Sequence, residues 1–205
     1  MSNRLSRPES QARTRARLVA SATELYLRDG FTATSNNQVA EAAGYSRGAV
    51  YSNFASKEEL ALSVLDKHTT EEFAELVRIL TAGSAQDRID AFQAWAMAAS
   101  GDPRWAWFKT ELALVSRRSP SLRAQLAARD EQARSEITAL VEQVGADLGL
   151  AVPAQPSVVA GLLMALGKGI AIDSLIDSAG PPTWLRELFD LLNPLLAMLS
   201  ENPSD

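Results

Sequence analysis

Between Thr34 and Lys57 the chain carries the start and stop signals for two short helices and the tight turn between them, and few folds accept that arrangement. Ser35 is followed three residues later by Gln38, a capping box in which each side chain satisfies an otherwise orphan backbone donor. Val39 and Ala43 then fall one helical turn apart and give the helix an inner face. Gly44 is the natural stop, because glycine takes the left-handed conformation there without steric cost. Ser46 is predicted to cap the next helix, whose inward stripe is Val50 and Phe54 at i and i+4. Its outward face keeps Arg47, Gly48, Ala49, Tyr51, Ser52 and Asn53. Ser56 with Glu59 makes a second capping box and starts a third helix close behind.

A short helix with an arginine in its first turn suits the DNA major groove, where a guanidinium bridges guanine O6 and N7. Gly48 and Ala49 keep the backbone thin beside Arg47, and a small side chain there can meet a thymine methyl. Tyr51, Asn53 and Lys57 offer a hydroxyl, an amide and a charge to phosphate oxygens, which fix register without reading sequence. Together with Ser35, Gln38 and Ser46 at the helix starts, these residues form the expected DNA-binding surface.

From about Arg13 to Leu65 the chain resembles the DNA-binding domain of the tetracycline-repressor (TetR) family of bacterial transcriptional regulators. The resemblance runs through the alanine-rich segment Ala20 to Phe31, then Thr34, Val39-Ala40, Ala43-Gly44, Gly48 to Tyr51, Phe54, and Ser56-Lys57-Glu58 before Leu60. Asn36 and Asn37 open the second helix where the family commonly carries other residues, and position 50 is Val where Leu is more frequent. The resemblance implies a homodimer that binds a palindromic operator in double-stranded DNA and releases it when a small-molecule effector occupies the C-terminal domain. The alternative is a constitutive repressor or architectural DNA-binding protein whose second domain only dimerises.

The net charge of −5 suits a DNA binder only once it is divided along the chain. Residues 1–57 hold eight basic against four acidic residues, a net of +4, which leaves −9 for the remainder. The arginines of the amino-terminal tail and first helix can reach a phosphate backbone, while the acidic body discourages indiscriminate adhesion. With no cysteine, no disulfide framework or thiolate metal site is available. The amino terminus lacks the apolar stretch of a signal peptide, and the longest apolar run, Val158 to Ile172, is short for a membrane span and holds Lys168. A cytoplasmic protein with no membrane partner and no cofactor is the expectation.

Beyond the head, glycine and proline divide the chain into helices without strand-like alternation. A long helix from Ser56 to about Leu80 carries Leu62, Leu65, Thr69, Phe73, Leu76 and Leu80 on one side and is the natural lever between two domains. Further helices are expected at about 85–100, 104–118, 121–148, 157–178 and 183–200, separated by breaks that include Gly101-Asp102-Pro103 and Gly180-Pro181-Pro182. The expected fold is all-α with about nine helices, namely a flexible basic tail (1–8), a three-helix helix-turn-helix domain (9–55) and a helical ligand-binding and dimerisation domain (56–205).

Two late helices are unusually apolar. Val158, Val159, Leu162, Leu163, Leu166, Ile170, Leu175 and Ile176 nearly encircle one, and Leu185, Leu188, Leu192, Leu195, Leu196 and Leu199 stripe the other. A helix apolar on most sides needs burial on most sides, so helices 157–178 and 183–200 are expected to pair with their copies in a second subunit. Pro194 is expected to kink or shorten the last one.

Aromatic residues concentrate between Phe92 and Phe108. Trp105 and Phe108 share a face continued by Leu112 and Val115, with Trp107 roughly opposite. Two readings stand, ordinary core and an apolar effector pocket; the candidate lining is Trp95, Trp105, Phe108, Glu111, Leu112, Met164 and Lys168. His68 is the sole histidine, and neither a metal site nor a catalytic residue is expected. Gly44-Tyr45-Ser46-Arg47-Gly48 fits the Gly-x-Ser-x-Gly nucleophile elbow, but that elbow needs a strand before the serine, and the residues preceding Ser46 are helical in pattern.

Overall fold

A computed structural model describes residues 6–99, 102–149, 154–176 and 183–200. Among them are nine α-helices and no strand: α1 (Arg7–Asp29), α2 (Asn36–Ala42), α3 (Arg47–Asn53), α4 (Lys57–Thr81), α5 (Ala85–Ala99), α6 (Pro103–Ser116), α7 (Pro120–Asp147), α8 (Pro156–Ile176) and α9 (Thr183–Ser200). The chain forms two compact units. Residues 1–71 and 107–122 make the first, and residues 72–106 and 123–205 make the second. This division differs from a boundary after residue 55, because the start of α4 and most of α6 pack with the head.

The first helix begins earlier than the basic-tail expectation. Ser6 and Glu9 form a capping box, with the Ser6 amide donating to Glu9 Oε2 at 2.7 Å and the Glu9 amide donating to Ser6 Oγ at 3.4 Å. Pro8 in the first turn loses nothing, because helix-start amides have no intrahelical partner. Helix α1 therefore already runs from Arg7; residues 1–5 of the expected tail lie outside the described residues.

Leu18, Val19, Ala22, Leu25 and Tyr26 form the buried stripe of α1, and Val39, Ala40, Val50 and Phe54 close over it. Leu60, Ala61, Leu62 and Val64 bring the first turns of α4 into the same core. From α6 come Phe108 and Leu112. Tyr26 stacks on Phe108 at 5.5 Å between ring centroids, and Phe31 meets both rings edge-on.

In the second unit, Phe92 of α5 stacks on Trp95 at 5.9 Å and meets Phe189 of α9 edge-on at 6.3 Å. Helix α8 is 21 residues long, longer than its apolar run, and by length and composition alone it could cross a membrane. It buries Ala160, Ile170 and Ser174 but leaves Leu162 66% and Ile176 85% exposed, alongside exposed Val158, Leu163, Leu166 and Ile172. Helix α9 continues through Pro194 to Ser200, so the expected early end does not occur. A proline removes one intrahelical donor, and the turns on either side keep theirs. The side chains of Leu192, Leu195, Leu196 and Leu199, and the Gly180-Pro181-Pro182 break, lie outside the described residues.

Candidate nucleic-acid interface

The α2–turn–α3 segment is built as its local chemistry dictates. The Ser35 amide donates to Gln38 Oε1 at 2.8 Å, and the Gln38 amide donates to Ser35 Oγ at 3.3 Å, closing the box. At the other end Gly44 adopts φ +73°, its amide bonds to the Glu41 carbonyl, and the Tyr45 amide bonds to the Ala40 carbonyl at 2.8 Å. Those paired bonds are a Schellman motif, which satisfies helix-end carbonyls while reversing the chain. Ser46 stands at the start of α3 but makes no side-chain cap bond, contrary to the capping expectation. The box at α4 is also altered: Ser56 Oγ accepts from the Glu59 amide, but Glu59 reaches past Ser56 to the Ala55 amide at 2.6 Å.

On the outer face of α3, the Arg47 guanidinium lies 5.3 Å over the Tyr51 ring, and Nη2 donates to the Tyr51 hydroxyl at 3.4 Å. That hydrogen bond, a second from Asn36 and the arginine's charge hold the Tyr51 phenol below its ordinary pKa. Asn36 thus joins the face through Tyr51. Gly48 and Ser52 are exposed here and Ala49 is half-buried, leaving the backbone accessible between Arg47 and Tyr51.

Two residues expected to hold phosphate are committed elsewhere. Asn53 donates both amide protons, to the Ala49 carbonyl at 2.8 Å and to Ser52 Oγ at 3.4 Å. Its remaining oxygen is buried and is an acceptor, which a phosphate cannot use. Lys57 is half-buried, with Nζ 4.4 Å over the Phe31 ring and donating to the Thr32 carbonyl at 3.3 Å. Burial pushes its ammonium pKa down, opposed by the carboxylates of Glu58 and Glu111. Among the arginines of α1, Arg15 is likewise turned inward.

In the sequence Tyr45 reads only as part of the turn. Hydrogen bonds from Thr14 and Arg17, with the charges of Arg17 and Arg13, hold its phenol below the ordinary value. The turn thereby gathers arginines from α1 beside the start of α3. Arg17 and Tyr45 are 28 residues apart in sequence, and no local pattern joins them.

The residues proposed for an effector pocket divide between the two units. Phe108 and Leu112 are buried in the head. The Glu111 carboxylate accepts from the Phe31 amide at 2.5 Å and the Thr32 amide at 3.3 Å, gripping the turn after α1. The close approach is permitted by Gly30, at φ +90°, where an added Cβ would meet Glu111 Oε2 at 3.0 Å and Trp107 Nε1 at 3.1 Å. Trp95, Trp105, Met164 and Lys168 belong to the second unit, so the seven residues do not line one pocket within either unit. Lys168 is exposed and pairs with Asp130 of α7 at 2.5 Å. A cavity of about 710 Å³ lies beside Leu114, Val115, Arg117 and Arg118, at the C-terminal end of α6 and beyond the aromatic residues. His68 is half-buried on α4, and no cluster of metal-ligating side chains occurs among the described residues. Ser46 follows helix α2 and a turn, not a strand, so the Gly-x-Ser-x-Gly spacing forms no nucleophile elbow.

Two short helices joined by a Schellman turn, seated on a longer helix, with Arg47 exposed on the second and Arg17 of the longer helix beside the turn, define a helix-turn-helix DNA-binding domain. Residues 18–64, which make up most of the head, match the family model of bacterial regulatory proteins, tetR family, and this part of the chain is similar to the DNA-binding domain of those regulators. The chain is 32% identical over 83 residues to the HTH-type transcriptional regulator TtgR of Pseudomonas putida, covering 40% of this chain and 37% of that protein. It is 38% identical over 66 residues to the HTH-type transcriptional activator FasR of Mycolicibacterium smegmatis, covering 32% of this chain and 28% of that protein. The chain thus aligns with well under half the length of these relatives. The fold is shared with a transcriptional regulator from Rhodococcus sp. Rha1, at TM-score 0.66 and 24% identity over 92% of this chain and 96% of that one.

Proposed function

We propose that this protein is a ligand-responsive repressor that binds a palindromic operator as a cytoplasmic homodimer and leaves it when a small molecule binds. The observation that carries the DNA reading is the Arg47–Tyr51 pair, a guanidinium held over an aromatic ring on the exposed face of α3. An arginine so held keeps less rotamer freedom to lose on binding, while its outer edge remains free for the two acceptors of a guanine. Ser46, without a cap bond, has its hydroxyl available to a phosphate.

The exposed apolar side of α8 supports a second copy as partner. Two heads then read half-sites about 34 Å apart, one duplex turn. Effector binding would be felt through α4 and α6, each continuous from one unit into the other, and Glu111 and Phe108 are where α6 grips the turn after α1. Coupling of about 1–3 kcal/mol would weaken operator affinity roughly 5- to 150-fold. Repression is the reading for this chain even though FasR is named an activator, because direction depends on where the operator lies relative to a promoter.

Selection of bound duplexes from a random library by the full-length protein tests this. The expected product is an inverted repeat with half-site centres one turn apart. Enrichment of single half-sites would remove the dimer, and no enrichment would remove sequence-specific binding. An operator complex that no cellular extract dissociates would favour the purely dimerising alternative.

A further inference from the structure

Behind the recognition helix, one guanidinium joins three elements of the head. Arg15, on α1, donates from Nη1 to the Asn53 carbonyl at 2.6 Å and from Nη2 to Ser63 Oγ at 2.8 Å on α4. Its Cζ lies 4.1 Å from the centroid of the Phe54 ring. Asn53 is the last residue of α3 and Phe54 its C-terminal cap, so the arginine sits on the end of the helix that faces away from Arg47.

A seven-residue helix is too short to fix its own orientation, since isolated helices of that length are marginal in water. Its final carbonyls have no partner within the helix, and that end carries the negative pole of the helix dipole. Arg15 answers both needs, donating to a terminal carbonyl and placing a positive charge there. The planar fork bonds in two directions while its face stacks on Phe54, a combination an ammonium cannot reproduce.

We propose that Arg15 is a positioning residue for sequence discrimination: it sets the angle of α3 against α1 and α4, and so the approach of Arg47 to the bases, without touching DNA. Its position among the amino-terminal arginines invites a phosphate role, but its guanidinium is turned toward Asn53, Ser63 and Phe54. Loss of that hold lets α3 tilt. Contacts that need alignment to a base edge suffer first, whereas attraction to the phosphate backbone persists.

The proposal rests on the DNA reading above and is tested with the full-length protein on two duplexes. One is the sequence that the wild type enriches from a random library, and the other is a scrambled duplex of equal length and composition. Arg15→Lys keeps the charge but loses the fork and the stack; the expected result is a fall of about tenfold in the ratio of specific to scrambled affinity. The slope of log affinity against log salt should stay as in the wild type. A phosphate contact would instead leave the ratio unchanged, and Arg15→Gln would flatten the slope by about 0.9. A role confined to fold stability would lower the melting temperature while the affinities of the folded fraction stayed the same; either outcome overturns the proposal.

Ser63→Ala removes one of the three contacts and serves if Arg15→Lys fails to fold. It should lower the same ratio by roughly threefold, and no change would overturn the proposal. If the wild type enriches no sequence, the DNA reading itself falls and this proposal with it. Enrichment by the wild type with an unchanged ratio in both variants overturns the proposal alone.

Discussion

Helices α1 and α8 are similar in length, 23 and 21 residues, yet the more apolar of the two is the less buried. Helix α1 carries arginines, acids and hydroxyls along most of its surface and still buries Leu18, Val19, Ala22, Leu25 and Tyr26 in the head. Helix α8 has Lys168 and Asp173 as its only charged residues and leaves six large aliphatic side chains exposed. The amphipathic stripe of α1 matches the partners that one chain supplies. The all-round apolarity of α8 exceeds them, and an exposed apolar surface of that kind marks a site of association. The head is complete within one chain, whereas the second unit has apolar surface to spare.

The comparison can be broken most directly at α6, where neighbouring aromatic residues have opposite fates. Phe108 is wholly buried against Tyr26 and Phe31, and Phe108→Ala should destabilise the head by about 3–5 kcal/mol in denaturant unfolding. Trp107, 53% exposed, should cost less than about 1 kcal/mol on the same change. Equal losses would mean that α6 does not belong to the head.

On α8, Leu162→Asp places a charge in the exposed apolar face. Sedimentation should show the proposed dimer weakened by roughly a hundredfold or more, with the monomer's helical content retained. A variant that unfolds instead would make α8 part of a monomer core. A variant that remains equally dimeric would move the interface elsewhere.

Glu111→Ala removes the acceptor shared by the Phe31 and Thr32 amides and should cost the head about 1–3 kcal/mol. If stability is unchanged, the carboxylate's contact with the turn does not hold α6 to the head. Tyr26 offers a finer test. Its hydroxyl is buried without a protein partner, so Tyr26→Phe should stabilise the head by about 1 kcal/mol. Burial, with the Glu58 carboxylate adding to it, raises the Tyr26 pKa above its ordinary value of 10.0. Above pH 10 the unfolded chain gives up this proton while the folded chain keeps it, so the folded state binds more protons and stability falls as pH rises. The phenylalanine variant should lose that alkaline decline, by up to about 1.4 kcal/mol per pH unit. An identical decline in both proteins would place its origin elsewhere.

What the sequence disclosed, and what it withheld, divides by the distance over which the chemistry acts. Ser35 with Gln38, and Gly44 after Ala43, settle their conformations within a few residues, so both were legible. Ser6-Arg7-Pro8-Glu9 is equally local and carries the same capping signal, but a run of nearby arginines suggested a tail. The periodicity of α6 put Phe108 and Leu112 on one face and Trp107 on the other, and the first face is the buried one at Phe108 and Leu112. It could not say what lay inward, because the partners, Tyr26 and Phe31, are about eighty residues away in sequence. Glu111, Lys57 and Asn53 were misleading for a related reason. A polar side chain on a helix looks available to any ligand until its backbone partner is known, and those partners are set by tertiary packing. The expected effector lining joined residues by sequence neighbourhood and aromatic content, and the division at residues 106 and 107 separates them.

The central claim is that α3 reads bases through Arg47. Duplex selection by the wild type and by Arg47→Ala, compared position by position, tests it most directly. A bidentate contact predicts that the variant loses discrimination at one base pair of each half-site, by about 1–3 kcal/mol, while the remaining positions keep their preferences. Identical base preferences in the two proteins, at every position, would contradict it.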